Sequence, residues 1–376
     1  MRILIYLPIA MSVLAAVGAW PLAERLPPRT ATWLLTVSAL VMAGTSCAAL
    51  GLLAMAAAMR FPVVDSLGGM SLRTFTRLYP APLFVGIVAA GLFGAAALNA
   101  VRAAWLRTAA LVAAHREARR LAGSAAQAGS VRQADGLGVA DGLGVADGLG
   151  VADGLGVAGG ADLAGGIGQA VGARSAGRPG PAGDTQVVTI MDDCIDAYAV
   201  PGLPGRIVIT SGMLEALTET ERDVLLAHER THVLAWHYLF AALARLAAAA
   251  NPLLRPLSAA VSYSVERWAD ERAALVTGSR TLVAHTIAKA ALAAAEGPAR
   301  RAGSAAVLAR LTGPSQLGRP GSVPRRVNAL LGPPPRRSIL LLAVTVVLLA
   351  VCGLAALDAA GDLHAMVEFA QAAALS

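Results

Sequence analysis

The sequence predicts a mainly α-helical protein with several membrane-spanning helices and one additional domain of mixed α+β structure. The 376-residue chain is 56% hydrophobic and has a mean hydropathy of +0.61, which is more apolar than an ordinary soluble domain. Four long apolar runs lie at 3–20, 33–58, 82–106 and 338–357. Each run approaches or exceeds the roughly 20 residues that a helix needs to cross a bilayer core. The sequence between the third and fourth runs holds the additional domain.

Changes of composition divide the chain into six segments. These are three transmembrane helices (1–106), a basic juxtamembrane helix (107–120), a Gly/Ala-rich linker (121–183), the α+β domain (184–336), a fourth transmembrane helix (337–357) and a short acidic tail (358–376). The first apolar run follows Arg2 and ends near small residues, as a signal peptide does. Further spans follow it at once, which favours a retained helix.

The linker contains an internal repeat. Residues 134–157 are four perfect copies of ADGLGV. Calcium-binding β-rolls repeat a longer unit with doubled glycines, and four such short turns are too small to bury a core. The repeat therefore favours a flexible linker over a calcium site.

Charge placement predicts the orientation in the membrane. The net charge is +7, and Lys289 is the only lysine, so arginine supplies nearly all the positive charge. The arginines gather beside the spans and do not alternate with aromatic residues on one domain, which argues against direct nucleic-acid binding. They follow the first span (Arg25, Arg29), follow the third (Arg102, Arg107, Arg116, Arg119, Arg120) and precede the fourth (Arg336, Arg337). Because short cytoplasmic loops are rich in arginine, 107–337 is predicted to be cytoplasmic, although Arg2, Arg60, Arg73 and Arg77 then lie outside.

Cysteine usage agrees with a cytoplasmic domain. Cys47, Cys194 and Cys352 are far apart and form no paired motif or disulfide framework, as expected in a reducing compartment.

The α+β domain opens with strands and continues with two helices. QVVTI from Gln186, AYAV and GRIVIT (205–210) have β-branched and aromatic content, and PGLPG between the last two indicates a hairpin turn. Thr218 and Glu221 form a capping-box pattern, so one helix is predicted from about 219 to near 249, where Asn251-Pro252 stops it. A second helix is predicted over 255–277.

The first of these helices carries the motif HERTH. His228 and His232 are four residues apart, so both imidazoles project from one face and can bind a single metal ion. Glu229 lies between them, where it can take a proton from a water whose pKa a zinc ion lowers. The pattern predicts zinc-assisted hydrolysis with Glu229 as the general base and then the general acid.

A third metal ligand has to come from a later acidic residue. The candidates are Glu266, Asp270, Glu271, Glu296 and Glu368. The midpoint between His232 and Glu266 is close to Asn251-Pro252, so an antiparallel turn there brings Glu266 back to the histidines. Asp270 lies four residues further on the same face, where it can accept the outer N–H of a ligand histidine.

This combination of motifs resembles a known family. HExxH followed by Glu-x-x-x-Asp is the pattern of gluzincin peptidases, and the stretch from ERDVLLAHERTHVLAWH to ERWADERAAL is similar to the BlaR/MecR membrane metallopeptidases. The resemblance covers about residues 186–280 and the order of three spans, peptidase and one span. It implies a zinc endopeptidase on the cytoplasmic side of the plasma membrane that hydrolyses protein or peptide substrates, a transcriptional repressor being one candidate. The chain has about nineteen residues after the fourth span, so the sensor domain of the best-known relatives is missing.

Several assignments stay open at the level of sequence. Tyr263, His285 and Arg272 are candidates for stabilising the oxyanion. GRIVIT is either an edge strand that pairs with substrate or simple scaffolding. His237 is rotated by about 140° from His232 on a continuous helix, which favours a histidine that points away from the metal.

Three other functions compete with regulatory proteolysis. ERWAD also fits the HtpX and CAAX-protease group of membrane quality-control enzymes. Cleavage inside the membrane is disfavoured by the charged residues before the motif, at Glu219, Glu221, Arg222 and Asp223. An inactive membrane scaffold is disfavoured by the presence of all five motif residues. The sequence does not predict an oligomeric state.

Overall fold

The computed structural model describes residues 7–58, 83–137, 185–200, 205–296, 322–335 and 338–375. The protein is mostly helical, with a few strands. The ten helices of the described ranges are α1 (Leu7–Arg25), α2 (Pro28–Ala58), α3 (Leu83–Leu137), α4 (Ser211–Ala216), α5 (Glu219–Leu234), α6 (His237–Ala250), α7 (Arg255–Thr277), α8 (Arg280–Glu296), α9 (Ser322–Leu331) and α10 (Ile339–Leu375).

Four helices are long and apolar enough to cross a membrane. Their apolar segments are Leu7–Arg25, Pro28–Ala58, Leu83–Ala109 and Ile339–Asp362. These segments coincide with the four apolar runs of the sequence, and the arrangement is consistent with a membrane protein. Helix α3 continues through the juxtamembrane segment to Leu137, so residues 121–137, predicted as linker, are helical. Their alanine-rich composition favours a helix over coil. Most of the ADGLGV repeat lies outside the described residues.

A three-stranded sheet precedes the helices of the α+β domain. Its strands are β1 (Gln186–Ile190), β2 (Ala197–Val200) and β3 (Arg206–Thr210), in the order β1-β3-β2. Strand β3 pairs in parallel with β1 and antiparallel with β2, so the predicted β2–β3 hairpin is confirmed. The suggestion that GRIVIT is an edge strand is wrong, because β3 is paired on both sides. Within the part of the chain that the structure describes, β2 lies next to α5 and has one side without a partner strand.

Helices α5 and α6 correct the prediction of one continuous helix. Helix α5 begins after Thr218, whose backbone N–H donates to Glu221 Oε2 at 2.8 Å, as the capping pattern predicts. It ends at Leu234, and α6 begins at His237 with a change of direction of 59°. The break is at Trp236, which has a left-handed backbone with φ of 55° that an α-helix does not accommodate. A 3-10 turn at Pro252–Leu254 then reverses the chain into α7, with the bounds predicted for the second helix.

The hydrophobic core joins the apolar helices α1 and α2 to helices of the α+β domain. One cluster contains buried side chains of α1 and α2 together with those of α6, α7 and the turn between them, including Leu35, Phe240, Leu254, Leu257 and Val261. A second cluster joins α5 and α7 to α8 and α9, and a third packs the sheet against α4 and α5. Helices α5 and α7 therefore lie at the centre of the domain, where all three clusters meet around them.

Candidate metal centre

Three potential ligand side chains converge between α5 and α7. His228 and His232 lie one turn apart on α5, and their Nε2 atoms are 3.1 Å apart. Glu266 reaches them from α7, with Oε2 3.6 Å from His228 Nε2 and Oε1 3.7 Å from His232 Nε2. The turn at Asn251-Pro252 produces this convergence, as the midpoint argument predicts. The group could bind a metal ion.

The spacing of the donor atoms, two imidazole nitrogens and the two oxygens of Glu266, fits zinc. Ligand atoms about 2.1 Å from a tetrahedral zinc ion are separated from one another by roughly 3.4 Å. The observed separations of 3.1, 3.6 and 3.7 Å bracket this value. Two imidazole nitrogens and one carboxylate, with a fourth position left open, are also the donor set of a catalytic zinc site.

Asp270 lies directly behind His228. Its Oδ1 is 3.0 Å from His228 Nδ1, the ring nitrogen that faces away from His232. The carboxylate is 1% exposed, so water does not compete for it. This is the position from which a carboxylate fixes the tautomer of a ligand histidine and leaves Nε2 free to bind metal.

Arg326 is a part of the centre that the sequence analysis missed. It comes from α9 and is completely buried. Its guanidinium makes two hydrogen bonds to Asp270, of 2.7 and 2.6 Å, and its NH1 atom is 3.1 Å from Glu266 Oε2. The arginine therefore holds Asp270 in a fixed orientation and lies against the carboxylate of Glu266.

The charges of the centre favour a bound cation. Burial alone would raise the pKa of Glu266 and of Asp270, but Arg326 outweighs it and holds both pKa values low, so both carboxylates are ionised. The two carboxylates carry one negative charge more than the guanidinium balances, so a second cation is needed beside them. Burial alone would lower the pKa of His228, but the neighbouring carboxylates of Asp270 and Glu266 raise it to about 10. A metal ion would replace that proton, because a ligand imidazole has to be neutral.

His232 and Glu229 have different environments from His228. Burial lowers the pKa of His232 to about 4, so its ring is neutral near pH 7, as a metal ligand requires. Glu229 is 6% exposed, and burial raises its pKa to about 7. A backbone hydrogen bond from Ala199 on β2 opposes that rise and places the carboxylate beside the free side of the sheet. A carboxylate with a pKa near neutrality is suited to both accepting and returning a proton.

His237 does not point away from the site, contrary to the sequence prediction. It is 2% exposed, and its Nδ1 atom lies 3.1 Å from His232 Nδ1. Its ring also packs on Trp268, with a centroid distance of 4.8 Å. The left-handed backbone at Trp236 turns the chain so that His237 meets the back of His232. The prediction failed because the rotation was counted along an unbroken helix.

The three candidates for oxyanion stabilisation lie in different surroundings. Tyr263 is buried and packs on Trp20 of α1 at 5.5 Å between ring centroids. His285 is 3.3 Å from Glu221, at the start of α5, and Arg272 is exposed. None of these contacts is with a ligand of the centre, so the structure adds no support for any of the three.

A comparison with protein families agrees with this geometry. The family described as Peptidase family M48 matches residues 167–254 of the chain. The match supports the M48 metallopeptidase family. Peptidases of this family are generally zinc-dependent, in agreement with the donor set of the centre. No curated protein and no solved structure matches the chain.

The matched segment covers only part of the centre. It includes the sheet and helix α5, with His228, Glu229 and His232, and ends at 254. Glu266, Asp270 and Arg326 follow it, so their assignment depends on the geometry. The match supports a metallopeptidase without confirming the BlaR/MecR type.

Proposed function

We propose that the protein is a membrane-bound zinc-dependent endopeptidase that hydrolyses peptide bonds on the cytoplasmic side of the plasma membrane. The observation that carries the proposal is the convergence of His228, His232 and Glu266 within 4.8 Å, with Glu229 buried on the same helix. The match to a metallopeptidase family supports it.

In this proposal each side chain of the centre has one task. His228, His232 and Glu266 would hold zinc, which would supply a Lewis acid for the scissile carbonyl and for the attacking water. Glu229 accepts the proton of the attacking water and returns it to the leaving amine. Asp270 orients His228 and keeps its proton on Nδ1.

The substrate enters beside β2 in this scheme. The backbone of Ala199 on β2 hydrogen-bonds to Glu229, and among the described residues β2 is paired only to β3, on one side. An extended peptide that pairs with the other side of β2 would lie next to the carboxylate that activates water. The edge strand is therefore β2 and not the GRIVIT strand of the sequence prediction.

Two biological roles fit the same centre. Regulatory proteolysis of a protein such as a transcriptional repressor follows from the resemblance to the BlaR/MecR type. Quality control of membrane proteins, as in the HtpX and CAAX-protease group, is the alternative, and it stays open because the family match does not name the BlaR/MecR type. The two differ in substrate and not in the residues of the site.

The test uses the full-length chain, purified in nanodiscs, with zinc content and cleavage of a casein-type substrate measured on the same samples. Wild type is expected to bind about one zinc ion per chain and to cleave. Glu229→Gln is expected to keep the metal and lose cleavage by at least about 100-fold, because the general base is gone while the ligands remain. Glu266→Gln is expected to lose most of the zinc.

Glu219→Gln serves as the matched control. Glu219 is an exposed glutamate on the same helix, so its substitution should change neither zinc content nor cleavage. Folded wild-type protein without zinc would contradict the metal centre and favour an inactive scaffold. Cleavage by Glu229→Gln at the wild-type rate would refute the role of that carboxylate.

A further inference from the structure

We propose that the helical hairpin formed by residues 238–265 is itself inserted in the membrane, packed on α1 and α2 and in contact with lipid acyl chains. We call this segment the inserted hairpin. It comprises most of α6, the turn at Pro252–Leu254 and the first half of α7. The metal centre then stands at the membrane surface, where the hairpin leaves the bilayer. The proposal concerns topology and holds whether or not the centre hydrolyses peptides.

The composition of the hairpin changes sharply from that of α5. Residues 238–265 contain two charged side chains, Arg245 and Arg255, and no acidic one. The 16 residues of α5 contain six, at Glu219, Glu221, Arg222, Asp223, Glu229 and Arg230. The change occurs at the bend at Trp236. Only the segment after the bend is therefore apolar enough for a bilayer interior.

The tip of the hairpin is bound to the middle of two membrane helices. The Nδ2 atom of Asn251 donates to Ser12 Oγ at 3.1 Å and to Ser46 Oγ at 3.2 Å. Ser12 in turn donates to the carbonyl of Pro8 at 2.8 Å. All three polar side chains are buried, so this cluster is inaccessible to solvent. Such hydrogen bonds between helices are a way to join polar residues inside a membrane.

The backbone of the turn is also satisfied within the protein. The Asn251 side-chain oxygen accepts from the Leu253 N–H at 3.1 Å. The Asn251 N–H donates to Ala247, and the Leu254 N–H donates to Asn251. A chain reversal at bilayer depth requires this, because lipid offers no hydrogen-bond partner for free peptide groups.

Two contacts fix how deep the tip lies. At the other end of the hairpin, Arg267 NH1 donates to the carbonyl of Ala23 at 2.6 Å. Ser12 and Ala23 are 11 residues apart on α1. Eleven residues of helix rise about 17 Å, which is more than half of the roughly 30 Å hydrocarbon core. The tip therefore lies beyond the bilayer midplane if Ala23 is at its surface.

Aromatic and charged residues mark that surface. Arg29 lies over the ring of Trp268 at 5.8 Å, and Trp33 packs edge-on against Phe240 at 4.8 Å. Trp20 packs against Tyr263 in a tilted arrangement, at nearly the level of Arg267. Tryptophan and arginine at one level of a helix bundle are typical of the membrane–water interface.

The exposed side chains of the hairpin are suited to lipid. Leu239 is 43% exposed and Leu253, at the tip, is 44% exposed. Arg245 is partly buried and interacts within the protein. Arg255 is exposed next to the tip, from where its long side chain can extend towards the opposite headgroups. Lipid acyl chains are thus the partner that the apolar surface of the hairpin fits.

The first test uses the unmodified full chain in nanodiscs of phosphatidylcholine with a diazirine at the end of one acyl chain. After illumination, adducts are mapped by peptide mass spectrometry. Adducts are expected at Leu253, as at Leu354 on α10, which is 66% exposed and serves as the positive control. Leu275, on α7 beyond Arg267 and 74% exposed, is the matched control and should carry none.

The second test measures depth directly. In a background of Cys47→Ala, Cys194→Ala and Cys352→Ala, nitroxide labels are placed by Leu253→Cys or Leu275→Cys. Oxygen partitions into the bilayer core, and a water-soluble nickel chelate is excluded from it. The ratio of oxygen to nickel relaxation should be several-fold higher at 253 than at 275.

Each of the two tests has a result that contradicts the inserted hairpin. An unlabelled Leu253 beside a labelled Leu354, or equal ratios at 253 and 275, would overturn the proposal. Both measurements are independent of zinc and of hydrolysis. Failure of the proposed enzymatic activity would therefore leave their result unchanged, and the two ideas can fail separately.

Discussion

At the scale of single residues, Arg326 is the side chain on which the buried charges of the centre depend. Replacement by methionine keeps the volume of the side chain but leaves Asp270 and Glu266 without their common partner. Breaking a buried ion pair by removing one member typically costs about 3–5 kcal/mol. We expect Arg326→Met to lower the free energy of unfolding in detergent by this order, measured by denaturant titration followed by circular dichroism.

The neighbouring arginine is the control for this prediction. Arg325 has a side chain that is 54% exposed, lies 3.9 Å from Glu24 and covers the ring of Trp20. Exposed pairs contribute about 1 kcal/mol or less. Equal losses for Arg325→Met and Arg326→Met would show that the pairing with Asp270 is not what stabilises the domain.

His237 is expected to tune the metal affinity without binding the metal. It faces His232 Nδ1, so it can accept the proton there and leave His232 Nε2 free as a ligand. Loss of such a partner typically weakens metal binding by about 10- to 100-fold. We expect this for His237→Phe, measured as the zinc dissociation constant by competition with a chromophoric chelator.

His285→Phe is the comparison for His237→Phe. His285 belongs to α8, has a side chain that is 69% exposed, and lies beside Glu221 at the start of α5. Its replacement should leave the dissociation constant unchanged. An unchanged constant for His237→Phe would instead assign that ring to packing on Trp268 alone.

The sequence identified the residues of the centre that obey a helical spacing. His228, Glu229 and His232 share one turn of helix, and the Asn251-Pro252 stop indicated Glu266. Arg326 obeys no such rule, since it is 56 residues from Asp270 and comes from another helix. A buried arginine so far along the chain is visible only once α9 is packed against α7.

At the scale of elements, Glu221 connects the start of α5 to α8. It caps α5 through Thr218 and lies 2.6 Å from Lys289 Nζ. Burial alone would raise the pKa of Glu221, but the hydrogen bonds from Lys289 and Thr218 outweigh it and lower the pKa to about 2. A lowered pKa stabilises the folded state above the ordinary value of about 4.5, and this contribution is lost as pH falls towards 2.

We therefore expect the stability of Glu221→Gln to depend less on pH than the stability of wild type. Hydrogen bonds to a charged group contribute about 1.5–3 kcal/mol, so the variant should be destabilised by this order near pH 7 and match wild type at low pH. Thermal unfolding in detergent, recorded between about pH 7 and pH 2, measures the difference. Glu219→Gln, an exposed change in the same turn, should run parallel to wild type; a parallel curve for Glu221→Gln would contradict the prediction.

Helical periodicity predicted α7 to the residue but not the bend between α5 and α6. Nothing in the composition of Leu234–Trp236 signals a break, because neither glycine nor proline is present. The left-handed conformation of Trp236 is disfavoured locally, so tertiary contacts have to hold it. The packing of His237 on Trp268 and of Phe240 on Trp33 supplies such contacts.

At the scale of the whole molecule, the four apolar helices could be predicted from length alone, whereas the inserted hairpin could not. Helix α6 has 14 residues, fewer than a complete span needs. Its place among α1 and α2 depends on contacts such as Asn251 to Ser12, which are 239 residues apart. Short apolar helices are ambiguous in sequence because a protein core and a bilayer select the same residues.

The position of the centre predicts a preference for membrane-anchored substrates, if both the proposed activity and the inserted hairpin hold. His232 packs on His237 and His237 packs on Trp268, each with centroids 4.8 Å apart. The ligand His232 is therefore about two ring contacts from Trp268, which lies among the aromatic residues that mark the membrane surface. A substrate held in the same bilayer reaches such a site at an effective concentration in about the millimolar range.

The measurement compares one cleavable sequence in three forms in the same liposomes: free, and tethered to a transmembrane anchor by about 5 or about 30 flexible residues. We expect the short tether to be cleaved fastest, the long tether more slowly, and the free peptide slowest, with Glu229→Gln inactive on all three. The order follows because a longer tether lets the scissile bond move further from the membrane surface, which lowers its effective concentration at the centre. Equal rates for the free and the short-tethered forms would mean that the bilayer orients the enzyme but does not select its substrate.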